Sequence, residues 1–331
     1  MPENTVTEGA SYTTRWDTIM MTYAPLWRRW ELPTWGLAAL IYGSWLALTW
    51  WHAVLPWFVL LPLGAWLIAW FGHLQHEVLH GHPTRTPWIN EALVFPALAM
   101  WYPYGIYRDS HLAHHLDWRL TCPVDDPESF YVTPDRWARM GTVHRLLLHA
   151  NMTVLGRLLL GPAMATWGLY VGEGRRLLSG DTAHLQVWLR HAIGMALVIA
   201  WVVGVCGMPL WSYLLLFAYP GASLTMLRSF AEHRPAARYE HRIAINRAEP
   251  PLALLYLNNN LHAVHHAVPG LAWYDLPGYY RERRQEWEAG NGGFVWHGYR
   301  EIVRRFLLHP KDHPVHPLYE DGHCPHPAAA E

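Results

Sequence analysis

Histidine spacing is the chemical feature of this chain. Three runs, His76-Glu77-Val78-Leu79-His80, His111-Leu112-Ala113-His114-His115 and His262-Ala263-Val264-His265-His266, repeat intervals that one helix face can use. A fourth element, Glu232-His233, adds one more imidazole. Residues four apart lie on the same side of an α-helix, so His76 and His80 can aim at one point. In each HxxHH run the first and last histidines share a face, and the middle one is turned about 40° away. One run can therefore serve two neighbouring metal ions, and two runs can hold a pair between them. Neutral imidazole binds iron, zinc, copper and nickel alike, so ligand type leaves the metal open. The number narrows it: eight or nine imidazoles exceed the four ligands of a structural zinc and suit two ions of higher coordination. Glu77, Asp109 and Glu232, with Asn260 beside the third run, are candidates to accept the second imidazole N–H and fix each tautomer.

Such a constellation needs elements that bring four distant segments together. Four apolar segments, 34–51, 55–72, 191–208 and 209–227, are about as long as a ~30 Å hydrocarbon layer requires, and none has an acidic or basic residue in its interior. They form two pairs, joined around His52 and at Gly207-Met208-Pro209. Neither link contains Lys or Arg, whereas Arg28, Arg29, Arg108, Arg119, Arg175, Arg176, Arg228 and Arg234 lie on the opposite side. The positive-inside rule then places both termini and every histidine run in the cytoplasm. Residues 92–104 contain Pro96 and Pro103 and read as an interfacial or re-entrant segment. Residues 146–170 have amphipathic spacing with Arg157 and are expected along the membrane surface. Residues 1–33 form a polar cytosolic segment, with Glu3, Glu8, Arg15 and Asp17 and no cleaved signal peptide. Residues 279–288 and 298–308 read as charged helices. Residues 309–331 read as a His/Pro-rich tail, solvated and disordered. The expected fold is all-α and integral to the membrane: four transmembrane helices under a cytosolic helical cap, in one domain over 34–308.

Composition agrees. Of 331 residues, 52% are apolar and only 15% charged, below the roughly 25% charged of soluble domains. The 21 tryptophans and 17 tyrosines suit belts at the two membrane–water interfaces. A mean hydropathy of −0.01 then requires strongly polar segments beside the spans. The net charge of −1 gives no reason to expect nucleic acid. Cys122, Cys206 and Cys324 are too few and scattered for a disulfide scaffold or an iron–sulfur site. Of the other histidines, His73 and His82 flank the first run and are second-layer candidates.

The HxxxH run at His76 and His80 and the two HxxHH runs resemble the histidine boxes of the membrane fatty acid desaturase superfamily, which includes alkane hydroxylases and carotenoid oxygenases. Asp125-Asp126-Pro127-Glu128-Ser129 and Asn258-Asn259-Asn260 look like bacterial members. Arg228-Ser229-Phe230-Ala231-Glu232-His233 is similar to the Glu-His element of alkane hydroxylases, while Ser229 stands where animal acyl desaturases place an asparagine. The resemblance spans 35–280. It implies nine ligands, His76, His80, His111, His114, His115, His233, His262, His265 and His266, around two non-haem irons with O2 as co-substrate. It also implies a bacterial inner-membrane location and a separate electron donor of ferredoxin, rubredoxin or cytochrome b5 type with its reductase, because the chain has neither a His-Pro-Gly-Gly haem motif nor a cysteine quartet.

Breaking an unactivated C–H bond is beyond any side chain, so a redox metal with O2 must carry it. The expected activity is desaturation of a fatty acyl chain. Hydroxylation, including alkene-forming decarboxylation, is the alternative within the same chemistry. A metal transporter would line its path with polar groups at bilayer depth, a b-type cytochrome would pair histidines inside facing helices, and a zinc hydrolase would mix carboxylates among fewer histidines. The spans show none of these.

Overall fold

The computed structural model describes residues 25–115, 119–320 and 322–324. The polar N-terminal stretch through residue 24, with Glu3, Glu8, Arg15 and Asp17, lies outside the described residues, as does the end of the tail from 325.

The long helices are α1 (Leu32–Trp50), α2 (Trp57–Leu79), α6 (Val154–Leu178), α7 (Leu185–Val205) and α8 (Leu210–Glu232). Shorter ones, α3 (Pro87–Leu93), α4 (Tyr104–His114) and α5 (Thr142–Asn151), lie between α2 and α6. After α8 come α9 (His262–Ala267), α10 (Leu276–Glu282), α11 (Arg284–Gly290) and α12 (Tyr299–Phe306). Two two-residue strands, β1 (Ile245–Asn246) and β2 (Val295–Trp296), pair in parallel. The described residues are thus mostly helical, with a histidine-bearing cap at one end of an apolar bundle.

Among the described residues, four helices are long and apolar enough to cross a membrane: α2, α6, α7 and α8. Three match expected spans with shifted ends. The helix α2 continues to Leu79, carrying His76 on its last turns. The fourth expected span, 34–51, corresponds to α1, which packs along α2 but is not among those four. In its place stands α6, part of a segment expected along the surface. That segment, 146–170, is also not one element. It breaks at Met152-Thr153, where the Thr153 hydroxyl accepts from Gly156 N at 2.9 Å and caps α6. A Cβ on Gly156 would lie 1.8 Å from Ala150 O, so only glycine permits so tight a turn.

Close backbone approach holds α2 against α8. A Cβ on Gly64 would meet Leu216 O at 2.7 Å, and one on Gly221 would meet the Ile68 side chain at 2.4 Å. Small residues at such contacts are what a lipid environment demands, because lipid supplies no hydrophobic drive between helices. Several polar groups inside the bundle are paired. Trp45 Nε1 donates to Tyr213 Oη at 2.9 Å, and Tyr213 Oη donates to Leu98 O at 2.8 Å. Tyr42 Oη donates to Leu93 O, and His191 Nε2 donates to Met100 O. The bonds from Tyr213 and His191 satisfy carbonyls of the irregular segment 94–103, whose Val94, Leu98 and Met100 are buried. Non-helical backbone is tolerated at such a place only when its polar groups find partners of this kind.

The expected loose tail is a correction. Through Cys324 it is packed against the cap: Lys311 Nζ donates to Phe230 O and His233 O, Val315 pairs with Val132, and Cys324 is disulfide-bonded to Cys122. Proline-rich sequence has no helical or strand periodicity, so docking of this kind leaves no signal in the local pattern.

Candidate metal centre

Each histidine run rides on a helix end facing the same space. His76 sits on the last turns of α2 and His80 is its C-cap. His111 and His114 lie on α4, with His115 as its C-cap. His262, His265 and His266 form most of α9. His233 ends α8, where the chain turns extended.

The nine imidazoles separate into two groups. In one, His76, His80, His111, His115 and His265 each offer a nitrogen, all within 4.8 Å of one another. In the other, His114, His233, His262 and His266 do the same. The HxxHH runs are shared as helical geometry requires: His111 and His115 go to the first group and His114 to the second, while His265 goes to the first and His262 and His266 to the second. The groups are neighbours, with the His115 and His266 rings stacked at 4.2 Å between centroids.

In four rings a hydrogen bond occupies Nδ1 and leaves Nε2 toward the shared space. His114 Nδ1 donates to Asp126 Oδ1 at 2.8 Å, His111 Nδ1 to Glu128 Oε1 at 3.1 Å, His262 Nδ1 to Asn259 Oδ1 at 3.0 Å and His233 Nδ1 to Arg242 O at 3.3 Å. A neutral imidazole with its proton on Nδ1 has only a lone pair on Nε2. Yet the Nε2 atoms converge: His114 to His233 at 3.0 Å, His262 to His233 at 3.1 Å, and His115 to His111 at 3.0 Å. Between two neutral rings such as His233 and His262, acceptors facing each other at 3.1 Å repel unless a cation lies among them. His80 Nε2 is likewise buried without a partner among the described residues. The residues therefore fit two metal ions, one per group.

Electrostatics point the same way. Burial drives His80 down to about 2 and His115 to about 3, and puts His262, His265, His266 and His233 well below the usual imidazole range. Neutral imidazole is the form that ligates. His114 is the exception. Burial pushes it down, but the Glu128 and Asp126 carboxylates outweigh that and raise it to about 9. Burial likewise opposes ionisation of Glu128, yet the His111 and His114 imidazoles leave its carboxyl well below the usual range.

Of the expected second-layer residues, Glu77 accepts from Trp273 N and lies 3.6 Å from His76 Nδ1. Glu232 lies 3.2 Å from His262 Nδ1 and 2.9 Å from Arg228 Nε. Two expectations are corrected. Asp109 points outward and pairs with Arg108, because it stands two positions from His111 on α4 and so faces another side. Its role falls to Asp126 and Glu128. Asn260 donates to Asn246 O and steadies β1. Its neighbour Asn259 joins the two groups instead, accepting from His262 and donating to a His76 ring nitrogen at 2.9 Å. The motif 125–129 marked the carboxylates in the sequence, but only folding shows which histidines they meet. Of the flanking histidines, His82 Nδ1 bonds Glu31 Oε1 at 2.7 Å and His73 lies 3.4 Å from Arg228 Nη1.

The fatty acid desaturase family model matches residues 49–298, which include all three histidine runs and His233. No curated protein matches the chain. With apolar helices carrying two groups of convergent imidazoles across most of its length, this chain is an integral membrane protein that belongs to the fatty acid desaturase family.

Proposed function

We propose that the protein is an O2-dependent oxidase with two irons, and that it desaturates the hydrocarbon chain of a fatty acyl lipid. The observation that carries this reading is the convergence of nine imidazole nitrogens in two adjacent groups. Two ions side by side, held by imidazoles with no carboxylate in either group among the described residues, fit redox chemistry better than hydrolysis.

Bound iron supplies the one-electron and O2 chemistry that side chains lack. Overall, two hydrogens leave adjacent carbons, and with two electrons from a separate donor and two protons they reduce O2 to two waters. The chain's own part is positional. Asp126, Glu128, Asn259 and the Arg242 carbonyl hold Nδ1 protons, so that each Nε2 is presented in a fixed direction. Arg228 and Glu232, both buried, place a balanced charge pair beside the histidines. The cap covers the ligands and excludes water, which protects a reactive oxidant from side reactions.

Arginines on the histidine-bearing side support a cytoplasmic active site in a bacterial inner membrane. The helix α6 is read as lying along that face. Near its start Leu155 N bonds Leu307 O of the cap, and near its end Glu173 bonds His184 and Trp188 at the start of α7. An external ferredoxin, rubredoxin or cytochrome b5 type protein is the proposed electron source.

Iron quantification on purified protein, with a lipid profile of expressing cells, tests the reading. Two irons per chain and a product lighter by two hydrogens are expected. A product heavier by one oxygen would make it a hydroxylase, loss of carbon dioxide an alkene-forming decarboxylase, and absence of iron would end the proposal.

A further inference from the structure

The C-terminal segment is stitched across the loop that carries Asp126 and Glu128. Cys324 is disulfide-bonded to Cys122, which precedes Asp126 in the same turn, and both cysteines are buried. Cys122 O accepts from Asp126 N at 3.0 Å, and Thr121 N donates to Asp126 Oδ2 at 2.8 Å, so the turn around Cys122 sets the carboxylate that holds His114. Non-covalent stitches run alongside. His316 Nε2 bonds the Thr121 hydroxyl at 3.0 Å, Val132 N donates to Pro314 O at 2.9 Å, and Tyr131 Oη donates to Asp312 at 2.7 Å. From the same segment Lys311 Nζ donates to Phe230 O and to His233 O, the backbone of a fourth candidate ligand. One covalent bond therefore fastens the strap that fixes the orienting partners of His111 and His114 and the backbone of His233.

The strap lies on the histidine side of the apolar helices. On the reading that this side is cytoplasmic, the disulfide sits where thiols are ordinarily kept reduced, and cytosolic disulfides are characteristically transient and redox-responsive. Although both sulfurs are buried, the residues just before Cys324, Gly322 and His323, are exposed, so a short local displacement uncovers the bond.

We infer that Cys122 and Cys324 form a redox latch on the metal centre: closed as a disulfide, it pins the carboxylate loop, and opened by thiol exchange, it releases the strap. In opening, a thiolate of glutathione attacks one sulfur and the S–S bond breaks. A second glutathione thiolate resolves the mixed disulfide. Cys122 and Cys324 gain two electrons and two protons as thiols, and the two glutathiones leave as glutathione disulfide. Closing is the reverse, with glutathione disulfide as oxidant.

The full-length protein in lipid nanodiscs, equilibrated in buffers of varied glutathione to glutathione disulfide ratio, tests this. Free thiols are mapped by maleimide labelling, and hydrogen exchange of residues 119–132 is followed in parallel, with and without iron. Cys122 and Cys324 should convert together, loop exchange should rise as they open, and retained iron should fall by about tenfold in affinity. Cys324→Ser should exchange fast in every buffer, whereas Cys206→Ser should behave as the parent; reduced parent protein covers the case in which the serine variant folds poorly. Loop exchange equal in reduced and oxidised protein would overturn the latch. So would two thiols that stay free in excess glutathione disulfide, or a stoichiometric zinc held by the pair. Exchange and thiol state are read on metal-free protein too, so failure to bind iron sinks the di-iron reading while the latch is still decided.

Discussion

His114 Nε2 and His233 Nε2 lie 3.0 Å apart, although 119 positions separate the two residues. Each has its Nδ1 occupied elsewhere, His114 by Asp126 and His233 by the Arg242 carbonyl. Both Nε2 atoms thus converge on the space shared with His262 and His266, and the consequences can be measured.

Replacing His114 with alanine removes one of four nitrogens from the second group. His114→Ala is expected to lose the metal of that group and all detectable product, while the five-histidine group keeps part of its iron. Metal analysis and lipid mass spectrometry on the same preparation check this, and a fully active variant with two irons would refute the ligand assignment.

Asp126→Asn keeps size and shape but removes the charge behind His114. Metal affinity should fall by about 10- to 100-fold. The pH dependence should move as well. In the metal-free protein His114 is raised to about 9, so at neutral pH an incoming ion must expel a proton, and affinity drops about tenfold per unit below that value. The sign for stability is the reverse. A pKa raised above the unfolded value stabilises the metal-free fold fully below about 6.5, and that contribution is lost as pH rises through about 9. In Asp126→Asn the steep region of metal loading should shift to lower pH. An unchanged profile in metal titrations would show that Asp126 does not set the proton.

Asn259 and Asn260 are adjacent but have different tasks. Asn259→Ala should weaken metal retention at both groups, because it touches His76 and His262. Asn260→Ala should lower thermal stability through the lost bond to Asn246 O, which keeps Ala248 N as a donor, by about 0.5–1.5 kcal/mol for one hydrogen bond, with metal stoichiometry retained. Metal analysis beside thermal unfolding separates the two outcomes.

Gly221→Ala tests the helix contact that carries the site. Its Cβ would meet Ile68 at 2.4 Å, so α2 and α8 must part, at a cost of about 1–3 kcal/mol. Since α2 ends in His76 and His80 and α8 in His233, iron loading should fall together with detergent stability. Gly43→Ala, which meets nothing within 4 Å, should leave both unchanged.

The sequence by itself determined the ligand types, their helical intervals and the apolar helices that end in them, because periodicity and composition act locally along the chain. Intervals of three and four residues also allowed each HxxHH run to serve two neighbouring sites, and the structure divides each run between two imidazole groups. Tertiary structure alone decided the rest. Asp126 rather than Asp109 meets His114 because a loop folds back beneath α4, and Asn259 rather than Asn260 joins the groups because β1 engages its neighbour. Residues 309–320 and 322–324 are held by the Cys122–Cys324 disulfide, Lys311 and backbone pairing to remote stretches of chain. Such contacts follow from the path between elements, which no local pattern encodes.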